Sequence, residues 1–381
     1  MTSPEPDRGA IGFAEKLLML LDEGHFTATY KYAVLLSLMD LCLEQSTKHG
    51  AAPSMVTTRQ LAEKVVEMYW PHAVAFGVGE ESKERVLFQN RPLKDHSGGQ
   101  AAIVREIVKF RSEHAPDPSA TITRARHAKK KAFEGLVRRV EWKLVEMPLP
   151  RLQLIGEMET PFIYQINWDR TITKKTFNNW AGFDNAIRFM GPASEYLVQL
   201  AGLLRPLIQR QWAAMVARFN TDIVKDAELE RFLFGVERIS LAPVRNGLRD
   251  LQDGRCFYCE SRLGDKVEVD HFVPWARYPN NAIENLVIAH SDCNQSKGDH
   301  LASADHVQRW AQRLDLDGSD GQLREIADAA RWEKAPARSV GVARSIYLRL
   351  PGDIRLWQGK KAFRAIDRGA LEVALSGGGI A

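Results

Sequence analysis

The apolar positions of this chain recur mostly at helical spacing. An apolar run over residues 29–44 predicts a helix buried around much of its circumference and central to a small core. Thr57 followed by Gln60 is a capping-box signal for a second helix, which Pro71 ends. A third periodic run covers residues 102–110. Such helices fit a DNA-recognising helix-turn-helix module or an ordinary compact helical core.

The remainder of the pattern is helical with short extended segments. Residues 152–155 and 162–168 predict strands, the second because Tyr164, Ile166 and Trp168 alternate with polar residues. A long helix is predicted after Pro192, kinked or broken near Pro206. Further helices are predicted at residues 228–238, 243–252, 307–314 and 322–332. The expected fold class is mainly α with small β elements, an α+β protein.

Length and composition set the protein class. A chain of 381 residues is too long for one ordinary core, which predicts two or three domains. It has no apolar run of about 18 residues and begins with a polar, acidic segment, so we expect a cytoplasmic protein without a membrane partner. Four cysteines in such a chain are not expected to form disulfides, and Cys42 in the first apolar run is expected to be a buried thiol.

Positive charge is concentrated in one stretch, although the net charge of the chain is only +4. Residues 124–143 include eight basic residues and only two acidic ones. Such a stretch is usually a solvated helix face, but it is also a candidate for contacts with the phosphates of DNA. The candidate contacts are Lys129, Lys130, Lys131, Arg138 and Arg139.

Two short metal-binding motifs stand near residue 260. Cys256 and Cys259 form a Cys-x-x-Cys knuckle, and His290 and Cys293 form a His-x-x-Cys knuckle. Together they supply the three thiolates and one imidazole of a tetrahedral, structural zinc site. His290 could instead be an ordinary buried histidine. The whole cluster could also be a zinc ribbon with incidental polar residues between its knuckles.

The residues between and after the knuckles resemble the signature of the HNH (ββα-metal) endonucleases. Asp270-His271, Asn285-Leu286 and Cys293-Asn294-x-x-Lys297 occur in the order typical of that family, although His290 stands where most zinc-bearing members have cysteine. The resemblance covers about residues 250–305. It implies that His271 is the general base, that Asp270 and Asn294 bind a catalytic Mg²⁺ or Mn²⁺, and that Asn285 orients the base. Lys297 is expected to meet a phosphate or to be solvated.

The predicted organisation has four parts. Residues 1–115 form a helical N-terminal domain that senses DNA or a partner, and residues 116–245 combine the basic segment, short strands and long helices. Residues 246–310 form the HNH module with its zinc, and residues 311–381 form a helical extension with a disordered tail.

The expected function is metal-dependent hydrolysis of DNA phosphodiester bonds, by nicking as a monomer. The expected setting is bacterial anti-phage defence or restriction, with protein partners. The alternatives are a non-catalytic, zinc-containing nucleic-acid-binding module and an RNA-cleaving nuclease.

Overall fold

The computed structural model has helices as its main elements and only short antiparallel sheets, as the hydrophobic pattern predicts. It divides into two compact units, residues 1–42 with 53–235 and residues 43–52 with 236–381. The boundary predicted at residue 115 therefore falls inside the first unit, and the predicted nuclease and C-terminal segments lie together in the second. The structure describes residues 9–23, 27–77, 85–92, 99–155, 158–159, 161–179, 182–221, 226–235, 240–314 and 321–376.

The first unit is helical with a small sheet. Its helices are α1 (Gly9–Glu23), α2 (Tyr30–Glu44, whose last two residues count with the second unit), α3 (Thr58–Tyr69), α4 (Ala102–His114), α5 (Ile122–Ala128), α6 (Lys130–Glu146), α7 (Lys174–Asn178), α8 (Ala193–Gln199), α9 (Ala201–Phe219) and α10 (Asp226–Phe234). Its strands are β1 (Met55–Thr57), β2 (Ala75–Phe76), β3 (Arg85–Val86), β4 (Leu154–Ile155), β5 (Met158–Glu159), β6 (Tyr164–Gln165) and β7 (Ala186–Phe189). An antiparallel sheet orders β1, β7 and β6, and the other strands form two-stranded pairs.

Three predictions for the first unit can be compared directly with the structure. Helix α2 is buried along residues 32–43, including Cys42, as its all-round apolar pattern predicts. Helix α3 begins with the predicted capping box between Thr57 and Gln60. Of the kink or break predicted near Pro206, the break is wrong, because the helix continues through that residue. The helix is interrupted at Leu200, and Pro206 lies inside α9 near its start, where it removes one backbone donor without ending the helix.

The second unit contains a strand pair followed directly by a helix. Its helices are α11 (Ala242–Leu251), α12 (Ser291–Lys297), α13 (Ala304–Gln312), α14 (Gln322–Ala330), α15 (Pro336–Tyr347) and α16 (Arg368–Leu375). Its strands are β8 (Val267–His271), β9 (Leu286–His290), β10 (Arg355–Gly359) and β11 (Ala362–Ala365). Strands β8 and β9 are antiparallel, with Asp270 opposite Val287 and His271 opposite Leu286. This is the predicted ββα arrangement, and α12 packs against both strands.

The C-terminal segment is not purely helical, which corrects the prediction for residues 311–381. Strands β10 and β11 form an antiparallel hairpin within it. The pattern hid this hairpin because the two buried residues of β10, Leu356 and Trp357, are adjacent and do not alternate. The disordered tail is predicted over residues 376–381. Ser376 is described and caps α16, with its amide donating to the carbonyl of Glu372 at 2.8 Å, and residues 377–381 lie outside the described residues. In the described part of the chain, no helix combines the length and apolar character that crossing a membrane requires.

Candidate metal centre and active site

The two knuckles come together in the second unit. The ligand atoms of Cys256, Cys259, His290 and Cys293 all lie within 4.8 Å of one another. Antiparallel pairing of β8 with β9 brings His290 to the end of the hairpin, and Cys293 follows in the first turn of α12. Nδ1 of His290 lies 3.4 Å from Cys259 Sγ, and its Nε2 lies 3.0 Å from the carbonyl oxygen of Arg262. Donation by Nε2–H to that carbonyl leaves Nδ1 as the ligand atom.

The electrostatics of the cluster also suit a bound dication. Burial, reinforced by the neighbouring Cys256 and Cys259, raises the pKa of Cys293 to about 12. Burial also acts to raise the pKa of Cys259, but hydrogen bonds from Ser261, Cys256 and His290 outweigh it and bring the value to about 7. Three adjacent thiolates repel one another unless a cation neutralises them. The Cys₃His set therefore fits a tetrahedral zinc ion, which deprotonates its thiol ligands on binding.

His271 ends strand β8 in a nearly closed environment. Its side chain is 8% exposed, and the Trp275 ring lies edge-on with its centroid 5.3 Å away. Its Nε2 is 2.8 Å from Oδ1 of Asn281, so Nε2–H donates to that amide oxygen in the neutral imidazole. Burial lowers the pKa of His271 below the ordinary histidine value, against the opposing effects of Asn281 and Asp270. The imidazole is therefore held neutral, with Nδ1 as its proton-accepting nitrogen.

Asn285 ties down the loop that follows His271. Its Oδ1 accepts from the amide of Val273 at 2.8 Å, and its Nδ2 donates to the carbonyls of Val273 at 3.1 Å and Asn280 at 3.0 Å. The amide of Phe272 donates to the Asn285 carbonyl at 2.7 Å. The side chain is 1% exposed, so these bonds replace water for buried backbone groups. Asn285 thus fixes the backbone directly after His271.

Helix α12 presents two side chains to one face of β8. Nδ2 of Asn294 donates to Oε2 of Glu268 at 2.6 Å, and Nζ of Lys297 lies 3.1 Å from Oδ2 of Asp270. Glu268 and Asp270 are alternate residues of the strand and so share a face. The predicted cation ligands Asp270 and Asn294 thus take part in the same strand–helix contact, each through a different partner. Engagement of the Asn294 amide nitrogen by Glu268 directs its oxygen, the ligand atom of an amide, away from that carboxylate.

Lys297 is buried, although the sequence predicts a phosphate contact or a solvated side chain there. Its side chain is 0% exposed, and its Nζ donates to the carbonyl of His271 at 2.9 Å besides pairing with Asp270. A fully buried ammonium cannot meet a phosphate of DNA, which corrects the predicted nucleic-acid contact. The reason is that position 297 faces β8 from the last turn of α12, and the buried Asp270 carboxylate stabilises the ammonium there.

The other predicted phosphate contacts lie in the first unit. Lys129, Lys130 and Lys131 are exposed where α5 gives way to α6. Arg139 is half-exposed and pairs with Glu106 at 2.6 Å. Arg138 binds a neighbouring segment of the protein. Its guanidinium lies 3.8 Å from the centroid of the Phe177 ring and donates to the Phe177 carbonyl at 3.2 Å. It packs within the unit, which corrects the prediction for that residue.

Comparison with known proteins agrees with this geometry. The model of the HNH endonuclease family matches residues 256–303, the segment that contains both knuckles and the ββα arrangement. The second unit carries an HNH endonuclease module. A second family, described as a domain of unknown function (DUF8808), matches residues 12–233, more than half of the chain. The chain therefore belongs to the DUF8808 family.

One characterised relative is similar to the chain over a short stretch. The Septu protein PtuB of Bacillus thuringiensis is 36% identical over 62 residues, which are 15% of this chain and 24% of that protein. The chain thus matches about a quarter of the length of this relative. The similarity is local, and the DUF8808 region and the HNH module are matched as separate families.

Sequence reasoning missed the residues that support the HNH signature. Asn281, Glu268 and Tyr258 each bond to a signature residue, but none has a spacing of its own that marks it. Tyr258 could have been noted as an aromatic polar residue inside the first knuckle. The pair Asn280-Asn281 could have been noted for its position between the histidine and Asn285. The contacts of Asn281, Glu268 and Tyr258 with the signature residues form only when the loop and the strands take up their folded positions.

Proposed function

We propose that this protein is a metal-dependent endonuclease that hydrolyses phosphodiester bonds of DNA. The observation that carries the proposal is the buried imidazole of His271, kept neutral by burial and held by Asn281, next to the carboxylate of Asp270. A neutral imidazole can accept a proton from water near pH 7, which is the task of a general base in phosphodiester hydrolysis. The HNH match supports the same reaction class.

Each signature residue has a distinct role in this proposal. His271 accepts the proton of the attacking water, and Asn285 holds the backbone after it. Asp270 and Asn294 supply oxygen ligands for a Mg²⁺ or Mn²⁺ ion, because hard cations prefer carboxylate and amide oxygens. When bound, that cation would stabilise negative charge on the phosphate and the leaving oxygen. Cys256, Cys259, His290 and Cys293 hold a structural Zn²⁺ that fixes the hairpin to α12.

We also propose the form of the substrate and the biological setting. One HNH site cuts one strand, so we expect a monomer to nick duplex DNA. The exposed Lys129, Lys130 and Lys131 are candidates for backbone contacts that release counterions. We propose a cytoplasmic role in bacterial anti-phage defence or restriction, together with protein partners. The local similarity to the Septu protein PtuB supports this setting.

The test is plasmid nicking with Mg²⁺ or Mn²⁺, comparing wild type with His271→Ala. Loss of a general base should slow nicking by about 10²- to 10⁴-fold while leaving the zinc content unchanged. His49→Ala is the matched control, because His49 is an exposed histidine of the same unit. Nicking that survives His271→Ala at the wild-type rate would remove the proposed mechanism.

Assays on the same purified protein test the two alternative functions, a non-catalytic zinc module and an RNA nuclease. A non-catalytic zinc module would bind DNA without nicking it in either divalent ion. An RNA nuclease would cut structured RNA in preference to duplex DNA when the two compete. Either result would overturn the DNA-cleaving assignment, and cleavage of RNA that needs His271 would keep the mechanism but change the substrate.

A further inference from the structure

We infer that Tyr258, inside the first metal knuckle, positions the Asp270 carboxylate for the catalytic cation. Its hydroxyl donates to Oδ2 of Asp270 at 2.5 Å. Tyr258 is therefore a positioning residue that links the structural metal centre to the cation site. This inference rests on the proposed function, because it assumes that Asp270 binds a divalent ion.

The two hydrogen-bond donors to Asp270 lie within or close to the two metal knuckles. Tyr258 lies between Cys256 and Cys259, so its backbone moves with the first knuckle. Lys297, whose Nζ is 3.1 Å from the same Oδ2, lies one turn after Cys293 of the second knuckle. Each knuckle thus sends one donor to one oxygen of Asp270. An intact cluster fixes both donors relative to the strand that carries the carboxylate.

Packing and hydrogen bonds hold both donors in place. Tyr258 is 5% exposed, and its ring lies 5.1 Å from the Trp357 ring and 5.4 Å from the His306 ring, both edge-on. The backbone carbonyl of Tyr258 also lies 3.2 Å from Nε2 of the buried His306. Lys297 is tied to the carbonyl of His271. The phenol therefore has no freedom to swing away from Asp270 without breaking this packing.

Two donors on one oxygen restrict the orientation of the Asp270 carboxylate. They fix the side-chain rotamer of Asp270 and commit Oδ2 to the protein, so Oδ1 is the oxygen that we assign to the cation. Preorganised ligands bind a cation more tightly than mobile ones, because less conformational freedom is lost on binding. Losing the hydroxyl should therefore weaken the cation. A phenol that served only packing would change stability and leave cation affinity as it was.

The experiment measures cation binding directly in the full chain. Mn²⁺ affinity is read from the electron paramagnetic resonance signal of free Mn²⁺, in protein whose zinc content has been determined. Every variant carries His271→Ala, which stops turnover. Tyr258→Phe removes only the hydroxyl, without changing charge, and is expected to weaken Mn²⁺ binding about tenfold, the equivalent of one buried hydrogen bond.

Two controls make the result decisive. Tyr347→Phe removes another buried hydroxyl of the same unit, one that accepts from the amide of Ala302 at 3.1 Å, and should leave Mn²⁺ affinity unchanged. Asp270→Asn should weaken Mn²⁺ binding more than Tyr258→Phe does. A melting temperature and zinc content measured for each variant show that it is folded.

The outcomes separate this inference from the proposed function. If Asp270→Asn weakens Mn²⁺ binding but Tyr258→Phe behaves like Tyr347→Phe, the positioning role is wrong and the cation assignment stands. If Asp270→Asn has no effect, the cation assignment is wrong and the role of Tyr258 falls with it. A selective loss in Tyr258→Phe, with zinc retained, supports the link between the two sites.

Discussion

The second unit contains two clusters of chemically active side chains that are built in different ways. In the thiol cluster, the four ligand atoms face one another within 4.8 Å, and the motif residues themselves make up the site. In the catalytic cluster, residues outside the signature share the support with Lys297 of the signature, which contacts Asp270 and the His271 carbonyl. His271 is held by Asn281, Asn294 by Glu268 and Asp270 by Tyr258. The ligand atoms of the first cluster all come from its motif, whereas the second cluster also depends on residues that its motif does not include.

The largest effect is expected from breaking the thiol cluster. Cys259→Ser replaces a thiolate with a poor zinc ligand, so the ion should be lost. Structural zinc contributes about 10–16 kcal/mol of apparent binding free energy, comparable to the whole stability of an ordinary domain. We expect zinc content to fall and the melting temperature of the second unit to drop, as measured by metal analysis and calorimetry.

The matched control for this prediction is Cys42→Ser. Cys42 is a buried thiol of the first unit and lies outside the cluster. That substitution should lower stability modestly while leaving zinc in place. Full zinc occupancy in Cys259→Ser would mean that the four motif residues do not make up the metal site.

The contrast also explains what the sequence could reveal. Cys256, Cys259, His290 and Cys293 were identified from spacing, because two short knuckles fix most of the ligand geometry locally. The ββα order was expected on the same residues and is observed. The burial of Lys297 was not foreseen, because helical spacing shows which residues share a face but not which face is covered. Asn281 was missed for a related reason, since only the folding of the loop brings its amide to His271.

A smaller effect is expected when the support of the catalytic cluster is removed. Asn285→Ala leaves the amide of Val273 and the carbonyls of Val273 and Asn280 without a side-chain partner. Each unsatisfied buried group costs about 1–3 kcal/mol, with partial relief from entering water, so we expect a loss of about 2–4 kcal/mol in unfolding free energy. Denaturant titration measures it.

Asn285→Asp and zinc analysis sharpen this result. Aspartate keeps an oxygen for the Val273 amide but cannot donate to the two carbonyls, so it should restore little stability. Zinc should stay bound in both variants, because Asn285 is not one of the cluster ligands. Loss of zinc in Asn285→Ala would show that the two clusters fold as one cooperative element and are not built independently.

The smallest effect is a shift in pH dependence caused by one off-signature residue. Burial lowers the pKa of His271, and the base must be neutral to act, so wild-type nicking should persist below the ordinary histidine pKa of about 6.5. Asn281→Asp places a carboxylate where Nε2 now meets an amide oxygen. A negative charge there favours the imidazolium and raises the pKa of His271. The acidic limb of the pH–rate profile should therefore move up by about one pH unit. Little change is expected at pH 8, where the His271 imidazole is neutral in both the wild type and the variant.

Asn280→Asp is the neighbouring control, since Asn280 contacts Ser339 and the amide of Ala282. If both variants moved the limb equally, the added charge alone would explain the shift, and the contact between Asn281 and His271 would have no special part in tuning the base.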